Sequence, residues 1–475
     1  MKPTLKPLSV MLTVIAIGTS GASMAEGISL PNVSPANSDL VNKGAYIARA
    51  ADCMACHGED YKGGSPIATP MGDIYATNIT PSKRYGIGNY TKRDLEKVLR
   101  EGRAPTHWLY PAMPYSDYQG MTDEDIDALF AYLQTVESVD APPEYKTKLP
   151  FPFNIRSLMI GWNVINLKET MPPKNLTATQ KRGQYLVDHL EHCGTCHTPR
   201  NSTMGADTQK YLAGAPLGNW FAPNITPDKD SGIGSWSESD IVTFLRTGEL
   251  DGRAYAGGPM GEAVAHSTRY LTDKDLGAIA NYLKSVPTIK TDDKVHQVAD
   301  HNFVKPLNAS ITHDLIAQKD VLQRAKESAG SNDSPKALYL AACGSCHGVN
   351  GYAQPDAKYA PIVGLSSIRR DRPDMLINII AHGIDGASNT SPSMPGFAKD
   401  LNAAQIAGIT NYVRVNFGGI QDSKVSAAEV ERVLSAKPDQ PFLIKYAGIL
   451  AALGIIAVIL IIGFIIWRLL RSRRV

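Results

Sequence analysis

Apolar residues recur at helical spacing near the end of three stretches of the chain. Ile126, Leu129, Phe130 and Leu133 form one set, Leu276, Ile279 and Leu283 a second, and Ile406, Ile409 and Val413 a third. Positions three and four apart share one face of a helix, so each set predicts an amphipathic helix resting on something central. Each helix opens on a capping signal: Thr122 with Asp125, Thr272 with Asp275, Asn402 with Gln405. A cap residue with a carboxylate or amide three positions on reads as an exact or near capping box. A tyrosine sits late in each helix, at Tyr132, Tyr282 and Tyr412.

The two ends follow a different pattern. After Lys2 and Lys6, Leu8 to Ile17 is apolar, and Ser23 and Ala25 are small residues placed for cleavage after Ala25. This predicts an export signal over 1–25, the apolar run being short for a membrane span. Tyr446 to Trp467 is 22 residues without a charge. At 1.5 Å per residue it reaches about 33 Å, enough to cross a bilayer. Arg468, Arg471, Arg473 and Arg474 follow. The positive-inside rule then places the tail 468–475 in the cytoplasm and the body in the periplasm of a bacterial inner membrane. Within 446–467 no side chain can ligate a metal through His or relay protons, so the segment reads as an anchor.

The body repeats one unit three times. Cys53-Met-Ala-Cys56-His57, Cys193-Gly-Thr-Cys196-His197 and Cys343-Gly-Ser-Cys346-His347 begin 140 and 150 residues apart. Gly44-Ala-Tyr46, Gly183-Gln-Tyr185 and Ala337-Leu-Tyr339 precede them on short helical approaches. Units one and two also share Asn78-Ile-Thr-Pro81 with Asn224-Ile-Thr-Pro227, Gly86-Ile-Gly88 with Gly232-Ile-Gly234, and Leu99-Arg100-Glu-Gly102 with Leu245-Arg246-Thr-Gly248. The third unit lacks these blocks and is the divergent copy. Repetition at this scale predicts domains over 38–140, 178–288 and 333–420. Pro-rich 141–177 and polar 289–332 read as linkers, long enough to lie as straps across neighbouring units.

All six cysteines fall in the three motifs. Two thiols three residues apart can add to the two vinyl groups of one haem, and the following histidine reaches the iron. This is the c-type attachment signature. Structural zinc takes four ligands, usually from two separated pairs, and each unit holds one pair. A thioredoxin-type pair needs a βαβ setting that the pattern lacks. Three covalent haems c are therefore expected, on Cys53 and Cys56, Cys193 and Cys196, and Cys343 and Cys346. Their irons would take His57, His197 and His347. Methionine is the usual partner of histidine in electron-transfer cytochromes. Met113, Met260 and Met394 each lie before the last helix of a unit, 60, 67 and 51 residues after its first cysteine. Proline after Met113 and Met394 favours an extended loop that can present a side chain. His107, His266 and His382 lie near these methionines and are the competing ligands.

The chain resembles the membrane-bound triheme cytochrome c subunits of periplasmic alcohol, gluconate, fructose and sorbitol dehydrogenases. Asn78–Pro81 with Gly86–Gly88, Tyr110–Tyr115 around Met113, and Cys193–Arg200 with Trp236–Glu238 carry the resemblance, which covers roughly residues 40–435. It implies an all-α fold of three tandem class I cytochrome c domains, here followed by one C-terminal transmembrane helix. It also implies an electron-transfer subunit that accepts electrons from a flavin- or PQQ-dependent catalytic subunit, molybdenum being the less favoured case. The catalytic subunit would act on gluconate, an alcohol, a sugar or an aldehyde, and the electrons would pass to membrane ubiquinone. The span over 446–467 departs from members that use amphipathic anchoring alone.

The residues themselves offer no dinucleotide fingerprint, nucleophile constellation or spare metal cluster, so no catalytic residue is assigned. Two other readings stay open. One is a haem enzyme of peroxidase or thiosulfate dehydrogenase type with an open site in unit three. The other is a freestanding carrier from quinol to an oxidase. Charge then excludes a further class. The net +2 comprises two signal lysines and five basic residues from Lys445 on, leaving the body between at −5. An acidic body is no nucleic-acid footprint, and its charge suits orienting a protein partner.

Overall fold

The computed structural model describes residues 38–167, 175–250, 252–296, 334–352, 361–384, 393–438 and 440–472. The expected signal, most of the second linker, and Arg473 and Arg474 lie outside these residues.

Unit one runs through α1 (Ser38–Ala50), α2 (Cys53–His57), α3 (Lys92–Glu101), α4 (Tyr115–Tyr118) and α5 (Asp123–Leu133). Its first linker carries α6 (Leu158–Asn166). Unit two repeats the order with α7 (Ala178–Tyr185), α8 (Gly194–His197), α9 (Glu238–Thr247), α10 (Pro259–His266) and α11 (Asp273–Leu283). Unit three has α12 (Pro335–Ala342), α13 (Gly344–His347), α14 (Ser366–Arg369), α15 (Asp374–His382) and α16 (Ala403–Asn416). Then come α17 (Ala427–Leu434), α18 (Phe442–Lys445) and α19 (Ala447–Ser472).

The molecule is mostly helical, with four short hairpins among the described residues. Two-stranded antiparallel hairpins join β1 (Pro66–Thr69) to β2 (Gly72–Tyr75) and β3 (Ala215–Leu217) to β4 (Trp220–Ala222). Shorter ones join β5 (Glu249–Leu250) to β6 (Ala254–Tyr255) and β7 (Gly383–Ile384) to β8 (Met394–Pro395). They are too short to carry the periodicity by which a strand is read from sequence.

In units one and two the first and last helices cross in close contact. A Cβ on Gly44 would lie 2.0 Å from the Ala128 carbonyl oxygen, and one on Gly183 2.0 Å from that of Ala278. Only glycine permits this approach. The two crossings belong to one core: Ile47, Leu129 and Leu133 share a buried cluster with Leu186, Leu276 and Ile279. Unit three builds its own around Leu338, Tyr339, Ile377, Ile409 and Val413.

The tyrosines ahead of the three motifs are not one position. Tyr46 lies seven residues before its cysteine, Tyr185 eight, and Tyr339 four. Unit two takes up its extra residue in a π turn, Leu186–Leu190, that continues α7. Such turns commonly mark a one-residue bulge in a helix. The chain then enters both motifs through a left-handed residue, Asp52 (φ 47°) or His192 (φ 38°).

The final helix is 26 residues long, with no side chain buried. It fits a membrane anchor and runs five residues beyond the expected Trp467, because Arg468 and Arg471 continue it rather than ending it.

Candidate functional site

The short helices α2, α8 and α13 hold His57, His197 and His347 at their last positions. A four- or five-residue helix brings its two cysteines within one turn of each other. The His57 Nδ1 lies 2.6 Å from the Thr77 carbonyl oxygen, and the His197 Nδ1 lies 2.7 Å from that of Pro223. With Nδ1 donating to a carbonyl, the imidazole is turned so that Nε2 carries the free lone pair. Burial lowers both imidazole pKa values, against the carbonyl bonds that raise them. Both rings are thus held in the neutral form that can ligate a metal.

Sequence reasoning missed these two carbonyls, although a signal was present. Thr77 and Pro223 each directly precede an Asn-Ile-Thr-Pro block. In the first block the Thr80 amide and hydroxyl donate to Asn78 Oδ1, at 2.8 and 2.7 Å, and Asn78 Nδ2 donates to the Val139 carbonyl at 2.8 Å. Thr226, Asn224 and Ile289 repeat the pattern in the second. The block is a buried turn that fastens the chain leaving the last helix and fixes the carbonyl facing the histidine. The Gly-Ile-Gly blocks follow from it. A Cβ on Gly86 would stand 2.1 Å from the Thr80 carbonyl oxygen, and one on Gly232 2.2 Å from that of Thr226.

No disulfide joins the six cysteines. Burial, then Asp52, pushes the Cys53 thiol up to about 12 and the Cys56 thiol up to about 11. Burial also pushes Cys343 up to about 12. Reactive cysteines depend on a depressed pKa, and these thiols run the other way. Among the described residues no three His, Cys, Asp or Glu side chains cluster as a metal site. In the first two motifs the donor set is therefore two thiols one turn apart and an imidazole with Nε2 free. These residues fit a covalently attached haem.

The three methionines sit in different local settings. Met113 lies in the loop before α4, half-buried against the core shared by units one and two. Met260 lies in the first turn of α10, not in a loop, because unit two places a longer helix there. Met394 lies on β8, opposite Ile384. Of the competing histidines, His107 Nδ1 engages the Thr106 hydroxyl at 3.0 Å, while His266 and His382 end α10 and α15.

The first two motifs face one another. Cys53 and Cys193 both pack against the shared core, α2 lies against α10, and burial pushes the Asp52 carboxyl at the start of α2 up to about 8. From the other side, Thr195 within the second motif donates its hydroxyl to Asp117 Oδ2 of α4 at 2.9 Å. The region around each methionine thus packs against the motif of the other unit. Two reciprocal bonds close this arrangement. Tyr46 donates to Asp275 Oδ2 at 2.5 Å, and Tyr185 to Asp125 Oδ2 at 2.6 Å. The predicted boxes at Thr122 and Thr272 are consequently half made. Each threonine accepts from its N3 amide, while the N3 carboxylate serves the neighbouring unit.

Unit three docks on unit two chiefly through polar groups, beside an apolar contact of Tyr255 of β6 with the unit-three core. The buried Arg370 pairs with Asp293 at 2.9 Å, and Asn378 and Asn219 exchange hydrogen bonds of 2.8 and 2.7 Å. Arg372 lies 4.4 Å over the Phe221 ring.

Known proteins are similar to this chain in sequence. A Cytochrome c family profile matches residues 41–137 and 180–287, and the profile of cbb3-type cytochrome c oxidase subunit III matches 330–413. The fructose dehydrogenase cytochrome subunit of Gluconobacter japonicus is 39% identical over 99% of both chains. The cytochrome c subunit of the quinone alcohol dehydrogenase of Gluconacetobacter polyoxogenes is 37% identical, over 88% of this chain and 89% of that one. The gluconate 2-dehydrogenase cytochrome c subunit of Pantoea cypripedii is 36% identical, over 83% and 89%. Cytochrome c domains carry covalent haem c with its iron, and a cytochrome subunit of a dehydrogenase works with a catalytic partner. The chain belongs to the cytochrome c subunits of the fructose, alcohol and gluconate dehydrogenase complexes, an electron-transfer family.

Proposed function

We propose that this chain carries three covalent haems c and passes electrons from a periplasmic flavin- or PQQ-dependent dehydrogenase subunit to membrane ubiquinone. The partner's substrate would be gluconate, an alcohol, a sugar or an aldehyde. The observation that supports this reading is the meeting of the first two motifs on one core, against which Cys53 and Cys193 both pack.

Each bound haem supplies one-electron redox chemistry. The residues do the rest. Cys53 with Cys56, Cys193 with Cys196, and Cys343 with Cys346 fix the rings. His57, His197 and His347 would hold the irons, with Met113, Met260 and Met394 as the partner ligands. The carbonyls of Thr77 and Pro223 orient the first two imidazoles. Methionine ligation raises the potential, as an acceptor of electrons from a dehydrogenase requires. The shared core holds units one and two at a fixed relative position, which keeps transfer between them independent of domain motion. The positive residues after the span favour periplasmic haem units and a cytoplasmic C-terminus.

The test has two parts. Pyridine haemochrome analysis against protein mass is expected to give three haems per chain, and His57→Ala one low-potential or high-spin haem with the other two unchanged. The complex purified from its own membranes should reduce a ubiquinone analogue when given the partner's substrate. Haems that stay oxidised with every such dehydrogenase would overturn the reading.

A further inference from the structure

The position four residues before the first cysteine holds a different side chain in each unit: Arg49, His189 and Tyr339. Two of the three leave their own unit, and both arrive at the segment that carries the other unit's methionine. His189 lies in the π turn that takes up the extra residue of unit two. Its Nδ1 donates to the Asp117 carbonyl of α4 at 2.8 Å. A Cβ on Gly120, just past α4, would stand 2.1 Å from His189 Cε1, so the chain there closes on the ring. Thr195, inside the second motif, donates to the Asp117 side chain at 2.9 Å, and the Tyr118 ring meets that of His192 edge-on at 5.4 Å. The segment around the second motif thus grips α4 at several points. In turn α4 is tied to Met113. The Asp117 and Tyr118 amides donate to the Pro114 carbonyl at 2.9 and 3.0 Å, and the Tyr115 amide donates to the Met113 carbonyl at 2.8 Å.

The contact in the other direction has the same form. Arg49 Nη1 donates to the His266 carbonyl at 3.3 Å, and its guanidinium lies 4.4 Å over the Tyr270 ring. His266 ends α10, the helix whose first turn carries Met260. Unit three keeps to itself at this position. Tyr339 donates to the Gly348 carbonyl of its own unit at 2.7 Å. The chain at Met394 is held by its own unit as well: Met394 pairs with Ile384, and the Phe397 amide donates to the Ile380 carbonyl at 3.0 Å. An anchored carbonyl fixes the backbone from which a thioether is presented. Partners outside the ligand shell commonly orient ligands in this way.

We propose that His189 and Arg49 are positioning residues for the methionine ligand of the neighbouring unit's iron. His189, with Thr195, sets the Met113 segment of unit one, and Arg49 sets the Met260 segment of unit two. Met113 and Met260 are then presented to iron only when the two units are folded together, whereas Met394 depends on unit three alone. The inference rests on the reading of Met113 and Met260 as ligands.

The test uses the full chain with its haems attached. The near-infrared charge-transfer band of methionine-ligated ferric haem is read beside a redox titration of the separate haems. Met113→Ala marks the first haem by loss of its share of the band and by a lowered potential, because methionine ligation raises the potential. His189→Ala is expected to repeat that loss at the same haem, to add nothing further to Met113→Ala, and to leave the haem of its own unit unchanged. His189→Asn, whose amide can donate to the same carbonyl, should restore the band. Arg49→Ala should match Met260→Ala in the same way. Gly120→Ala presses on the His189 ring from unit one and should give a partial loss at the first haem, which keeps the test open where His189→Ala fails to fold. Wild-type band and potentials in His189→Ala and Gly120→Ala, with Met113→Ala losing its share, would overturn the proposal and keep the ligand reading. Loss at the second haem instead of the first in His189→Ala would also overturn it. A Met113→Ala protein with band and potentials intact would take down the ligand reading and the proposal together.

Discussion

Tyr46 and Tyr185 reach out of their own units to carboxylates on the other, whereas Tyr339 turns back to the carbonyl of Gly348 in its own, at 2.7 Å. The capping residues divide the same way. Asp125 and Asp275 leave their boxes half made. Each takes a base from its own first helix, Lys43 or Arg182, and a tyrosine from the other unit. Gln405 of unit three closes its box on the Asn402 amide at 2.9 Å. Units one and two have given up local closure to share a core, and unit three keeps its local closure and docks chiefly by polar contacts. The difference teaches that repeats of one motif need not be equal modules. A pair joined through buried apolar surface should unfold as one body, and a unit joined through ions and amides should part from it first.

The buried pair Arg370 and Asp293 offers the largest way to sharpen this contrast. Removing one partner of a buried ion pair costs about 3–5 kcal/mol, because the other charge is left unpaired. Arg370→Ala is expected to detach unit three from unit two while the joint core survives. Hydrogen exchange should then show faster opening of the Ser366–His382 region and unchanged protection in α1, α5, α7 and α11. Equal loss in both regions would mean that the three units form one cooperative body.

Next in size is the reciprocal bond. A hydrogen bond to a charged group contributes about 1.5–3 kcal/mol. Tyr46→Phe and Tyr185→Phe should each lower the stability of both units by that order and leave unit three unmoved. Tyr339→Phe should do the reverse. Denaturant titration followed at separate haem bands checks all three variants. An effect of Tyr46→Phe confined to unit one would break the picture of a shared core.

Much of this was legible in the chain. The final helices, their caps, the motifs and the repeated blocks are local patterns, and local patterns survive folding. What they serve was not legible. The Asn-Ile-Thr-Pro and Gly-Ile-Gly blocks stood out as repeats, but the task of presenting the Thr77 and Pro223 carbonyls depends on a turn brought against a helix some twenty residues away. Asp125 and Asp275 looked like cap closures because sequence shows the neighbour three residues off and not the tyrosine about 60 or 230 residues off. Tyr339 looked equivalent to Tyr46, and the counts to the cysteine show that it is not. The first linker looked like a Pro-rich strap. Its helix α6 escaped notice because Asn163 and Asn166 accept hydrogen bonds from the body while Val164 and Ile165 stay exposed, the reverse of the usual pattern.

Acid pH supplies a smaller lever on the joint core. Burial pushes the Asp275 carboxyl up, but hydrogen bonds from Arg182 and Tyr46 outweigh it and hold the group below its usual value. A carboxyl with a depressed folded pKa adds stability that is present above its unfolded pKa, about 4, and lost as pH falls through the folded value. The contribution of Asp275 to the denaturant midpoints of units one and two, read as the difference from Asp275→Asn, should thus hold steady from neutrality to about pH 5 and decline below about pH 4.

The smallest effect belongs to the other junction. Asp371 meets His296 and accepts from the Lys294 amide, but its side chain and that of His296 are 43% and 44% exposed. Exposed pairs contribute about 0–1 kcal/mol and weaken with salt. Asp371→Asn is therefore expected to shift the opening of unit three only slightly, and less so at high ionic strength. The comparison with Arg370→Ala is what makes this small effect informative. Both residues lie at the isolated bridge between Arg370 and Val295 of the chain leaving unit two, and they differ chiefly in burial. If hydrogen exchange gave the two variants similar effects, the junction would be held along its exposed rim. If Arg370→Ala dominates, it is held by one desolvated charge pair.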